Sequence, residues 1–133
     1  MSTPKRIHHI NILVRDLDSK ATLFETLLGK KAERHALQKR QVETASFRLG
    51  DAYLVLVMPT TTDSVVADIL KEKGEGLFLL SLGVSDLESA IARLHDKNIA
   101  LSKTEQRTGI NGWKIQDVGL TEQMGFILQL TEN

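Results

Sequence analysis

The strongest constraint on this chain is that it repeats itself. Val14-Arg15-Asp16-Leu17-Asp18-Ser19 returns 70 residues later as Val84-Ser85-Asp86-Leu87-Glu88-Ser89. Four of the six positions are identical, and Asp18 against Glu88 keeps the charge. The same spacing sets Ile10 and Ile12 against Leu80 and Leu82. Leu54-Val55-Leu56 recurs as Leu128-Gln129-Leu130 at a spacing of 74, and the extra four residues fit in loops. Tandem similarity of this kind means duplicated structural units. In a chain of 133 residues each copy is too small to bury its own sheet, so the two are expected to share one core.

Apolar periodicity gives each copy the order strand, helix, three strands. Ile7–Val14 alternates as a strand. Asp16 caps a helix with Leu17, Ala21, Phe24 and Leu28 on one face, and Gly29 ends it. Strand candidates follow at 31–37, Glu43–Leu49 and Tyr53–Met58, the last two joined by a Gly50-Asp51 turn. A helix over 63–73, capped by Asp63 or Ser64 and closed by Gly74, links the copies. The second copy has a strand at Leu77–Val84 and a helix capped by Ser85 or Asp86 with Leu87, Ile91 and Leu94 on one face. Its strands are expected at Ile99–Ser102, Trp113–Val118 and Gly125–Thr131. The fold class is therefore α+β: two tandem βαβββ modules forming a curved mixed sheet that encloses a cup-shaped pocket. A single domain over 1–133 is expected, with module one at about 6–58, the linker helix at about 59–75 and module two at about 76–131.

Composition removes whole function classes. Lys+Arg 17 balances Asp+Glu 17, which argues against nucleic acid or an acidic membrane as partner. Zero cysteine excludes disulfides, thiolate metal sites and a cysteine nucleophile. The longest mainly apolar run, Leu77–Val84, is too short to span a bilayer, and no signal peptide is visible, so a cytoplasmic location is expected.

Strand parity separates two faces. Ile10, Ile12, Val14, Leu54, Leu56, Met58, Leu80, Leu82, Val84, Phe126, Leu128 and Leu130 pack under helices. His9, Asn11, Tyr53, Val55, Leu79, Ser81, Ile127 and Gln129 then face the other way. A mostly apolar face with sparse polar groups suits either a small-molecule pocket or a second mini-core. Parity sends His8 to the face opposite His9. Lys30 to Arg40 reads as a charged edge strand or an anion contact, and Arg107 to Gly112 as a hairpin connection or an anion cradle. Trp113 reads as a core or interface residue, and His35 and His95 as surface residues.

The opening His8-His9-Ile10-Asn11-Ile12-Leu13-Val14 with Asp16-Leu17 resembles the vicinal oxygen chelate superfamily. That superfamily includes glyoxalase I, methylmalonyl-CoA epimerase, ring-cleaving dioxygenases and bleomycin-resistance proteins. The stretch from Gly74-Glu75-Gly76-Leu77 through Asp86-Leu87-Glu88-Ser89-Ala90 resembles the methylmalonyl-CoA epimerases most closely, and Leu49-Gly50-Asp51 and Gly125-Phe126-Ile127-Leu128-Gln129-Leu130 also match the superfamily. The resemblance implies four metal-ligand positions, which fall on His9, Val55, Leu79 and Gln129. Val55 and Leu79 cannot ligate, so only His9 and Gln129 remain as metal candidates, short of the usual three protein ligands. Where the epimerases carry an acid/base carboxylate, this chain has Gln38-Lys39-Arg40-Gln41, and no catalytic residue is assigned.

Two functions follow from the resemblance. One is a small-molecule-binding protein with a degenerate metal site, serving sequestration or another non-metal role. Its ligand would be oriented by His9, through an imidazole N–H, and by Gln129. The alternative is a glyoxalase- or epimerase-like lyase or isomerase, using a divalent metal on a small thioester or hydroxy/keto substrate. A homodimer is expected, since small members pair their sheets across subunits.

Overall fold

The computed structural model describes residues 2–101 and 106–133, with residues 121 and 122 described by their backbone alone. The chain divides into two compact units. A central unit runs Asn11–Leu77, and a split unit joins Met1–Ile10 to Phe78–Asn133. The first strand, β1 (Arg6–Leu13), contributes residues to both.

In the central unit, α1 (Leu17–Leu28) starts where the sequence says it must. The Asp16 carboxylate accepts from Ser19 N–H at 3.1 Å, satisfying a donor that the first turn leaves open. The helix stops at Gly29, whose φ of 69° is the left-handed conformation glycine adopts without a Cβ penalty. Three strands follow, β2 (Glu33–Leu37), β3 (Val42–Leu49) and β4 (Ala52–Pro59), each antiparallel to the next. Val14 N–H donates to Val57 C=O at 2.9 Å, tying the chain just after β1 to β4. α2 (Val65–Lys73) is capped by Ser64, not Asp63, through the Ala67 N–H. The core packs as parity requires: Val14, Leu17, Ala21, Ala45, Phe47 and Leu56 are buried together, with Ile12, Leu54 and Met58 against them.

The split unit repeats this plan. β5 (Gly76–Gly83) leads through Asp86 into α3 (Leu87–Asp96), and the Asp86 carboxylate accepts from Ser89 N–H at 3.2 Å. β6 (Arg107–Thr108), β7 (Lys114–Val118), the four-residue α4 (Thr121–Met124) and β8 (Ile127–Glu132) complete it. β5 pairs parallel with β8, β8 antiparallel with β7, and β7 antiparallel with β6, so the strands are mixed. Val84 N–H donates to Thr131 C=O at 2.9 Å, the counterpart of the Val14–Val57 bond. Val84, Leu87, Ala90, Leu94, Val118 and Leu130 form its apolar cluster, with Leu82 and Leu128 against it. The α+β class thus holds, with eight strands among the described residues.

Three local features differ from the sequence reading. The strand expected at Ile99–Ser102 is a single bridge between Leu101 and Val118, and its Ser102 end lies outside the described residues. The edge strand is instead Arg107–Thr108, two residues that carry no periodicity. α4 occupies a stretch read as loop, because four residues are too few for a 3.6-residue pattern. Among the described residues no helix is long and apolar enough to cross a membrane.

Candidate functional site

In the split unit, the face turned away from α3 carries a ladder of buried polar groups. Register sets Ser81 beside Gln129 and Gln129 beside Asp117, with Thr131 beside Ile115 in the next row. Ser81, Gln129 and Thr131 are at most 1% exposed and Asp117 is 8% exposed. Burying such groups is costly unless each is hydrogen-bonded, and here they bond to one another. Gln129 Nε2 donates to Asp117 Oδ1 at 3.0 Å. Arg107 Nη2 donates to the same oxygen at 3.2 Å. The Ser81 and Thr131 hydroxyls are bonded together, and the Thr131 hydroxyl reaches Gln129 Oε1 at 3.5 Å. The amide of Gln129 is therefore oriented: its nitrogen toward a carboxylate, its oxygen toward a hydroxyl. Asp117 is the residue that sequence reasoning missed; Arg107, read as part of a hairpin connection or an anion cradle, binds its carboxylate. A lone carboxylate inside the apolar-flanked Lys114–Val118 strand was the available signal.

A second cluster surrounds β1. His8 and His9 are both buried, and both rings meet Trp113. The His9 ring stacks on the indole at 5.2 Å with 21° between planes, while His8 meets it edge-on at 4.4 Å. This corrects the expectation that His8 points to the opposite face. Alternation fixes the Cα–Cβ direction, but the ring beyond it turned back, and the two Nδ1 atoms lie 2.9 Å apart.

The proton positions follow from the partners. Asn133 Oδ1 accepts from Arg6 Nη2 at 3.0 Å and faces His8 Nε2 at 2.6 Å, so His8 carries its proton on Nε2. Burial holds the His8 pKa below 6.5; the Asn133 bond opposes this and Arg6 reinforces it. Neutral His8 thus presents a lone pair at Nδ1, and His9 Nδ1–H donates to it.

The predicted site residues divide between the units. His9, Leu79, Ser81, Ile127 and Gln129 belong to the split unit, and Asn11, Tyr53 and Val55 to the central one. Leu79 and Val55 are 3% and 1% exposed; Ile127, Asn11 and Tyr53 are half-buried. In the central unit, Val55 lies opposite Ser46, and Tyr53 opposite Arg48. Elsewhere on β2, Arg34 is bound to Asp18 of α1 at 2.7 Å, so this member of the basic 30–40 segment is engaged within the fold.

A metal finds few donors in these residues. His9 and Gln129 carry atoms that can ligate; Val55 and Leu79 carry none. Among the described residues no three His, Asp or Glu side chains group as metal ligands. Asp117, the nearest carboxylate to Gln129, is already held by the amide and by Arg107. The residues present do not make the three-ligand site that catalytic metals use.

The repeated Asp cap, helix and strand-closing backbone bond, with polar residues on the helix-free faces, define a vicinal-oxygen-chelate fold. The chain belongs to the Glyoxalase/Bleomycin resistance protein/Dioxygenase superfamily, whose family model matches residues 8–116. It is 30% identical over 128 residues to the uncharacterized protein YqjC of Bacillus subtilis (strain 168), covering 96% of this chain and 91% of that one. Among solved structures it is similar to a variant of the Streptomyces coelicolor methylmalonyl-CoA epimerase in complex with 2-nitronate-propionyl-CoA. The TM-score is 0.90 and the identity 26%, over 98% of this chain and 96% of that one. A methylmalonyl-CoA epimerase in complex with methylmalonyl-CoA and NH4+ matches with the same TM-score of 0.90, 26% identity and 98% and 96% coverage.

Proposed function

We propose that this chain is a small-molecule-binding member of the superfamily that works without a metal. One observation carries the reading: Val55 and Leu79 are hydrocarbon, which leaves His9 and Gln129, two donors where a catalytic metal uses three. The ligand would be small and largely apolar, with one or two oxygen groups. Leu79 and Ile127 would supply apolar wall, and His9 and Gln129 the polar groups that orient the ligand's oxygens. Each buried aliphatic group can contribute about 1.5–3 kcal/mol to such burial. The solved relatives support an acyl thioester as ligand class, since they hold CoA thioesters. A homodimer in the cytoplasm belongs to the same proposal; light scattering at micromolar concentration should give twice the 14.8 kDa chain mass.

Calorimetric titration tests the reading. Zinc, cobalt, nickel and manganese should each show no stoichiometric site, and propionyl-CoA should bind equally with and without EDTA. A tight one-to-one metal isotherm that disappears in His9→Ala would refute it. The likeness to epimerase structures favours one second reading, an isomerase of the methylmalonyl-CoA epimerase type. Its measurement is deuterium uptake at the α-carbon of methylmalonyl-CoA in heavy water; uptake that needs added metal would replace the first reading with the second.

A further inference from the structure

The central unit contains a cleft of about 670 Å³, all of whose lining residues lie within Asn11–Leu77. That volume falls in the range of small-molecule sites, about 300–1,000 Å³. Part of the lining is Pro59 with Thr60, Thr61 and Thr62, where the chain leaves β4. Another part is one face of α2, Ala67, Leu70 and Lys71 at positions i, i+3 and i+4. Arg15, just before α1, completes it. Backbone bonds hold these pieces in place. Thr60 N–H donates to Gln41 C=O at 2.9 Å, and Asp63 N–H to the Thr61 hydroxyl at 3.2 Å. The Ser64 hydroxyl accepts from Ala67 N–H at 3.0 Å, and Arg15 N–H donates to Glu75 Oε2 at 2.9 Å. The charged heads over the cleft are left largely unused. The Arg15 side chain is 61% exposed, and its Nη1 stands 3.9 Å from Glu75 Oε1, beyond hydrogen-bond reach. Lys71 has no carboxylate partner among the described residues, and the Thr60 and Thr62 hydroxyls make no bond within them.

The lining thus holds two cations and no carboxylate, in a chain whose formal net charge is zero. The fold itself does not call for this charge. In the second copy the place of Arg15 is taken by Ser85, and Asp86 caps its helix as Asp16 does. A guanidinium fork, an ammonium and two hydroxyls offer donors from several chain segments to one acceptor group. A phosphate, with three strong acceptor oxygens and nearly two charges, uses more of them than the two oxygens of a carboxylate. Pro59, Ala67 and Leu70 line the remainder with hydrocarbon, and the volume leaves room for more than a phosphate. We infer that this cleft binds the phosphate monoester of a small organic molecule. Arg15 and Lys71 hold the phosphate, and Pro59, Ala67 and Leu70 cover the short carbon chain behind it. The inference goes beyond the proposed thioester binding: none of these residues is among those assigned to that ligand.

Propyl phosphate, titrated into the full chain at pH 8 where it is doubly charged, tests the inference. It should bind at least about tenfold tighter than butyrate, and tighter than inorganic phosphate, which lacks the hydrocarbon. Arg15→Gln and Lys71→Gln should each weaken it about fivefold. Glu75→Gln, which removes the carboxylate beside Arg15 and keeps an acceptor for its backbone N–H, should not weaken it. Arg15 and Lys71 are exposed, so both variants should keep the wild-type Tm and the wild-type affinity for propionyl-CoA. If propyl phosphate and butyrate bind alike, or if either Arg15→Gln or Lys71→Gln leaves the affinity unchanged, the phosphate site is refuted. If inorganic phosphate binds as tightly as propyl phosphate and about 0.3 M KCl abolishes both, only screened surface charge is at work, and the site is equally refuted. If both variants weaken propionyl-CoA together with propyl phosphate, the cleft belongs to the thioester ligand; the separate site falls and the proposed function stands. If propionyl-CoA fails to bind while propyl phosphate behaves as expected, the proposed function falls and the cleft stands.

Discussion

Gln129→Glu puts the polar ladder of the split unit under direct strain. In the native arrangement Gln129 Nε2 donates to Asp117 Oδ1 at 3.0 Å, in a place where Gln129 is 1% exposed and Asp117 8%. The substitution is nearly isosteric, but it exchanges the donor for a second carboxylate. Two effects add. A hydrogen bond to a charged acceptor, about 1.5–3 kcal/mol, is lost. Two like charges about 4 Å apart at an effective dielectric near 20 repel by about 4 kcal/mol. Arg107, 3.2 Å from the same Asp117 oxygen, offsets part of the repulsion. The net cost at pH 8 should be about 3–5 kcal/mol, a large share of the 5–15 kcal/mol typical of a domain. The cost should depend on pH in a definite direction. Repulsion and burial raise the folded-state pKa of the new carboxyl above its unfolded value near 4.3. The folded variant then binds its proton more readily than the unfolded chain, so the deficit against wild type shrinks as pH falls through that raised pKa and is full above it. Urea denaturation of both proteins at pH 8 and pH 5 measures this. A variant as stable as wild type at pH 8, or a deficit equal at both values, would show that the amide does not donate to Asp117.

The duplicated caps give a paired test. Asp16→Ala and Asp86→Ala each remove one carboxylate-to-backbone bond, of 3.1 Å and 3.2 Å, and each should cost about 1 kcal/mol by urea denaturation. A cost at one site and none at the other would break the equivalence of the two copies. His8 should make stability fall under mild acid. Burial holds its folded pKa below the ordinary 6.5, so the unfolded chain takes up the proton first and stability is lost as pH drops through about 6.5 toward the lower folded value. Thermal melts between pH 7.5 and 5 should show that slope in wild type, and His8→Phe should flatten it.

What could be read from the sequence was what depends on short-range pattern. Asp16 and Asp86 were legible as caps because the carboxylate and the amide it serves are three residues apart. The helix-facing core was legible because alternation in β3, β4, β5 and β8 is unbroken on that side: Ala45, Phe47, Leu56, Leu82 and Leu130 all lie where parity puts them. The site was legible only in part. Pairing Asp117 with Gln129 needs the register of β7 on β8, which the intervening α4 hides. The meeting of His8, His9 and Trp113 needs both a side-chain rotation and a contact across more than 100 residues, and no local pattern encodes either. His35 was read as a surface residue because β2 is short and mixed in polarity; only its pairing with Thr44 shows that one side of it is covered.

The two copies have kept one face and parted on the other. Leu56 and Leu130 occupy the same place in the repeat, 74 residues apart, and both are buried under a helix. One residue earlier, on the opposite face, the same spacing compares Val55 with Gln129. Val55 lies opposite Ser46, while Gln129 lies opposite Asp117 and bonds to it. The helix face resists change because each aliphatic side chain there contributes to folding, and its truncation leaves a cavity. The other face differs between the copies. In the split unit it has become a self-satisfied network of amide, carboxylate and hydroxyls. In the central unit it has become hydrocarbon with His35 and Thr44 unpaired. A metal clamp would tie both copies to the same donor chemistry at equivalent positions. Val55 offers no donor where Gln129 offers an amide, and this difference between the copies is what supports the proposed metal-independent recognition of an organic ligand.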